Sequence, residues 1–123
     1  MITGVIFDLG STLIHFDGDW PAVFEESLHA LARHFEVEGL AVEPQALRAE
    51  FRRQVEASQD MRQQDNIERT SAWVLRKAVE ALGADGLDEG VLDRALASLF
   101  AVSEARWVPM PGLHDVLAAL RAE

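Results

Sequence analysis

The residues Thr3-Gly4-Val5-Ile6-Phe7-Asp8 constrain this chain most. Three consecutive large apolar residues, then an acid and Gly10, predict a short strand buried on both faces. The rest of the chain reads as helix. A lone buried strand is a physical problem, because each unpaired backbone N–H or C=O costs ~1–3 kcal/mol. The strand must pair with another chain, lie frayed on the helices, or belong to a sheet whose other strands are elsewhere.

After a loop holding Asp17, Gly18, Asp19 and Pro21, Phe24, Leu28, Leu31 and Phe35 form one helical face, with Gly39 as a stop. Pro44 suits the first position of a second helix, and Val42 and Leu47 are placed as a hydrophobic staple. Its stripe is Leu47, Phe51 and Val55, and the polar stretch Ser58 to Asn66 predicts a break or surface loop. A third helix is expected over Ile67–Leu82, with Ala72, Leu75, Val79 and Leu82 on one face and Gly83 after it. Asp88 caps a fourth, whose inward residues are Leu92, Leu96, Leu99 and Phe100. The prolines of Trp107-Val108-Pro109-Met110-Pro111-Gly112 predict an extended linker. A fifth helix carries Leu113, Val116, Leu117 and Leu120 on one side. The expectation is a mostly α chain with five helices and one N-terminal strand.

Charge narrows the function classes. The 123 residues hold 21 Asp and Glu against 11 Lys and Arg, a net charge of −10. Such a chain repels phosphate backbones and anionic membranes, so neither nucleic acid nor a membrane surface is an expected partner. With no cysteine, disulfides, thiol nucleophiles and thiolate metal sites are absent. No apolar run approaches ~18 residues, and no basic segment precedes an apolar stretch, so a cytoplasmic location is the expectation.

The chemistry lies in Val5-Ile6-Phe7-Asp8-Leu9-Gly10-Ser11-Thr12-Leu13. An acid at the carboxyl end of a buried strand, before a tight glycine loop, is where α/β folds bind ligands. Gly10 permits close backbone approach, and successive loop N–H groups can nest a phosphate. Asp8 then serves as nucleophile or metal ligand. The bland alternative, a strand-to-loop turn in which Asp8 only accepts loop N–H bonds, fits the pattern equally.

Phe7-Asp8-Leu9-Gly10-Ser11-Thr12-Leu13 resembles motif I of the haloacid dehalogenase-like (HAD) hydrolases, an apolar strand followed by Asp-x-Asp-x-Thr/Val-Leu. Glu68 to Gly83 resembles that family's late cap helix, and Pro109-Met110-Pro111-Gly112-Leu113 the segment that returns to the core. The resemblance implies an α/β fold, a Rossmannoid core with an α-helical cap. It divides the chain into a first core strand and nucleophile loop (1–16), a cap (17–106) and a linker with the first returning core helix (107–123). It implies that Asp8 is the nucleophile, forming an aspartyl-phosphate. Asp8 and the Gly10 carbonyl would hold Mg²⁺, Leu9 and Gly10 would cradle the phosphoryl group through their N–H groups, and Thr12 would order the loop. The substrate class would be a small phosphorylated metabolite.

Two departures stand out. Gly10 replaces the family's usual second Asp, whose acid–base role is worth ~10²–10⁴ in rate. The chain also stops where the later motifs, with their Ser/Thr, Lys and acids, would follow; Lys77 is the only lysine. The expectation is a truncated, inactive portion. Two other readings compete: an actin-like or sugar-kinase-type nucleotide-binding fragment, and a non-catalytic helical interaction module that pairs in trans as a homodimer.

Elsewhere the bland readings prevail. His29 and His34 are spaced wrongly for two zinc ligands on one helix face, His15 follows motif I, and His114 stands apart. Asp17, Asp19, Glu25 and Glu26 lack the rest of a Ca²⁺ loop, and Trp20, Trp73 and Trp107 are expected to seal a core or an interface.

Overall fold

The computed structural model describes residues 4–122. Local capping chemistry sets the helices. Helix α1 (Trp20–Val37) starts at Asp19, whose carboxylate accepts the Ala22 N–H. It ends at Gly39, whose φ of +73° closes the turn. Helix α2 (Pro44–Asp65) starts at Glu43, which accepts N–H bonds from Gln45 and Ala46. Those two bonds hold the Glu43 carboxyl below its ordinary pKa. Helix α3 (Ser71–Ala81) starts at Thr70, and α4 (Glu89–Glu104) at Asp88, the latter as the sequence predicts.

These four helices share one apolar core. Leu28, Leu31 and Phe35 of α1 meet Leu47 and Phe51 of α2, Leu75, Ala78 and Val79 of α3, and Leu92, Ala95 and Leu99 of α4. α1 packs on both α2 and α4, and α3 packs on α2 and α4. Arg94 of α4 makes a two-pronged bond to Glu38, just past α1, at 2.8 and 3.0 Å. That guanidinium holds the Glu38 carboxyl below its ordinary pKa.

Several expectations are corrected. Ser58 to Asn66 is not a break: α2 runs to Asp65 and stops at Asn66 with φ +57°. Residues 58–65 contain neither Gly nor Pro, so a polar stretch continues as an exposed helix. α3 begins at Ser71 instead of Ile67, because Thr70 supplies the cap. Phe100 lies at the edge of its helix, 38% exposed, instead of facing inward.

The largest correction concerns the strands. Thr3 lies outside the described residues. Val5, Ile6 and Phe7 form no strand, and Ile6 is 99% exposed. An apolar run is buried as a strand only where a neighbouring strand completes its hydrogen bonds, and none lies beside it among the described residues. The strands are instead β1 (Ile14–Phe16) and β2 (Trp107–Pro109), the latter within the expected linker. They pair antiparallel, with Ile14, His15 and Phe16 opposite Pro109, Val108 and Trp107. Asp17 N–H to Arg106 O and Met110 N–H to Leu13 O extend the pairing at each end. Helices α1 to α4 lie between these strands in the chain, so the pair is a stem on which the helical body stands. Helix α5 (Leu113–Ala122) follows the stem with no buried residue, and its Val116, Leu117 and Leu120 are exposed.

The chain is therefore mostly helical with a small two-stranded sheet. Leu75→Ala in the core should cost about 2–5 kcal/mol by chemical denaturation, and Leu120→Ala less than about 0.5 kcal/mol. At the α2–α3 joint, Arg69 and then the Ile67 N–H hold the Asp65 carboxyl at about 2, against an ordinary 3.8. This lowered pKa stabilises the fold above the unfolded value, and the contribution is lost as pH falls through about 2. Carboxyl-carbon NMR titration should place Asp65 near that value, and Arg69→Leu should raise it toward the ordinary value, with the Ile67 N–H still lowering it.

Candidate functional site

The chain folds back sharply after Asp8. The Leu9 carbonyl accepts N–H groups from Thr12 (3.4 Å), Leu13 (2.9 Å) and Ile14 (3.1 Å). Gly10 bridges Ile14 in parallel, and the Ser11 N–H donates to Ile14 O at 2.7 Å. Closing this turn requires a left-handed residue, and it is Ser11, at φ +62°. Gly10 has no positive φ, and a Cβ there would meet nothing within 4 Å. The glycine is thus not required by space or conformation.

The fold brings Asp8 and Thr12 together. Thr12 Oγ1 donates to Asp8 Oδ2 at 2.9 Å, fixing the carboxylate on the loop's exposed side. Leu9 is 59% exposed. The loop N–H groups divide into two sets. Those of Thr12, Leu13 and Ile14 are spent on Leu9 O, whereas those of Leu9 and Gly10 meet no backbone acceptor among the described residues. An anion nest is therefore restricted to Leu9 and Gly10.

The donor chemistry suits Mg²⁺ in part. Asp8 offers carboxylate oxygen and Gly10 a carbonyl, both hard donors, and Mg²⁺ commonly keeps several waters and takes phosphate oxygens besides one or two carboxylates. No group of three or more His, Cys, Asp or Glu gathers as a metal site among the described residues.

Other candidates are engaged elsewhere. His15 sits mid-strand opposite Val108, its Nδ1 buried without a partner among the described residues. His34 lies 3.5 Å from Glu38, His29 contacts Arg48, and His114 is exposed on α5. Asp19 caps α1, Glu25 pairs with Arg52, and Glu26 lies 3.9 Å from Arg106. Lys77 pairs with Glu80 at 2.6 Å, and Arg69 lies 5.7 Å over the Trp73 ring. Away from the loop, a cavity of about 190 Å³ opens between α2 and α3, lined by Val55, Ser58, Arg62, Arg69, Ser71 and Val74 among others. No sequence pattern marks it, because its lining comes from two helices joined by an irregular loop.

No protein-family model, curated protein or solved structure matches the chain. The loop geometry makes its own forecast. Thr12→Val should change unfolding free energy by less than about 0.5 kcal/mol, since both partners are exposed, while shifting the Asp8 carboxyl-carbon resonance in NMR.

Proposed function

We propose that Asp8 is a phosphoryl acceptor of the HAD type, in a protein that hydrolyses a phosphate ester or anhydride. The supporting observation is the loop itself: one oxygen of Asp8 tethered by Thr12, beside Leu9 and Gly10 N–H groups that meet no backbone acceptor among the described residues. A carboxylate oxygen of Asp8 attacks phosphorus as the bond to the leaving oxygen breaks. Water then cleaves the acyl phosphate, releasing inorganic phosphate and restoring the carboxylate. Thr12 positions Asp8, and the Leu9 and Gly10 N–H groups face the phosphoryl oxygens. Asp8 and the Gly10 carbonyl would hold Mg²⁺, which supplies charge neutralisation when bound.

Gly10 has no proton to give, so the leaving group must depart unaided. This favours acyl phosphates and other leaving groups of low pKa. The HAD pattern would set this loop in an α/β core capped by α1–α4. The ligand class is a small phosphorylated metabolite in the cytoplasm. No helix among the described residues is long and apolar enough to cross a membrane. The exposed face of α5 favours a second reading, a helical module that forms a homodimer.

Acetyl phosphate with Mg²⁺ tests the first reading. A hydroxylamine-sensitive phosphoryl adduct should appear on Asp8 by mass spectrometry and vanish in Asp8→Asn. Absence of the adduct would remove the nucleophile assignment. Aryl phosphate turnover by this chain alone should be negligible; robust Asp8-dependent turnover would show that the site needs no further groups.

A further inference from the structure

The stem carries an aromatic face that phosphoryl chemistry leaves unused. Strand register sets Phe16 opposite Trp107, and Trp20 opens α1 shortly after. Both indoles stand steeply against the Phe16 ring, at 69° and 73°, with centroids 5.1 and 5.3 Å away. Edge-to-face contact uses only part of each ring. Trp20 stays 54% exposed and Trp107 41%.

The charge beside these rings is lopsided. Asp17 and Asp19 flank Gly18, immediately before Trp20. Arg106 lies against Gly18, with its guanidinium toward Glu26 at 3.9 Å. Counted along the chain, Asp17, Asp19 and Glu26 against Arg106 give these segments a balance of −2, with the Asp17 N–H bonded to Arg106 O and the Asp19 carboxylate also capping α1. Anions are repelled here, and a small hard cation gains little from π faces. A weakly hydrated organic cation gains from both the ring quadrupoles and the carboxylates. Elsewhere in the chain Arg69, bonded to Asp65, lies 5.7 Å over the Trp73 ring.

We propose that Phe16, Trp20 and Trp107, with Asp17 and Asp19, form a binding site for a small organic ammonium ion, quaternary ions best. The site stands independently of the role given to Asp8.

Tetramethylammonium chloride is the probe, with the three indole N–H signals read by NMR. Trp20 and Trp107 should shift saturably, with a Kd on the order of 1–10 mM, while Trp73 stays still. The neutral isostere 3,3-dimethyl-1-butanol should bind at least about tenfold more weakly if the quadrupoles and carboxylates act as argued. Asp17→Asn with Asp19→Asn, which keeps a capping side chain, should raise Kd about threefold or more. Trp107→Ala should abolish saturation, and the double Asn variant keeps the test decisive if that substitution loosens the stem. Equal binding of the neutral isostere, indifference to the Asn pair, or non-saturating shifts would overturn the proposal. So would shifts that follow protein concentration instead of the cation, which would assign the face to a second copy.

Discussion

Three residue pairs hold the two ends of the helical body together. Ile14–Phe16 and Trp107–Pro109 are some ninety residues apart, and closing a loop of that length costs on the order of 3 kcal/mol more than closing a minimal one. Two three-residue strands do not offset that alone. The core of α1 to α4 must form and bring its own ends together, leaving the strands to fix their register. The orientation of the Asp8 loop then follows, because Leu13 and Ile14 belong both to the loop and to the stem.

The helices were legible because their determinants are local. Leu28, Leu31 and Phe35, or Leu92, Leu96 and Leu99, recur with the helical period, and Pro44 and Asp88 mark starts through contacts within one turn. The strands were not legible, because pairing depends on a partner far away in the chain. Val5-Ile6-Phe7 has the composition of a buried strand without the neighbour that burial requires. The end of α2 misled for another reason: polarity indicates exposure, and an exposed helix remains a helix.

The site divides along the same line. Asp8 and Thr12 lie four residues apart, and one tight turn suffices to join them. The Leu9 carbonyl as the hub of that turn has no side-chain signature. Neither does the aromatic face, which needs residues from both ends of the helical body. Charge follows the joints as well: Arg94 meets Glu38 beyond the end of α1, and Arg69 meets Asp65 where α2 gives way to α3. Exposed pairs of this kind contribute little individually to stability.

The left-handed serine beside an unstrained glycine inverts the usual tolerance of such a loop. Position 10, which looks irreplaceable, can accept side chains without steric cost. Position 11, which looks ordinary, carries a backbone penalty of about 1–2 kcal/mol that glycine would relieve and Asn or Asp would lessen. Any drift of this loop toward other chemistry therefore has an open route at residue 10 and a closed one at its neighbour.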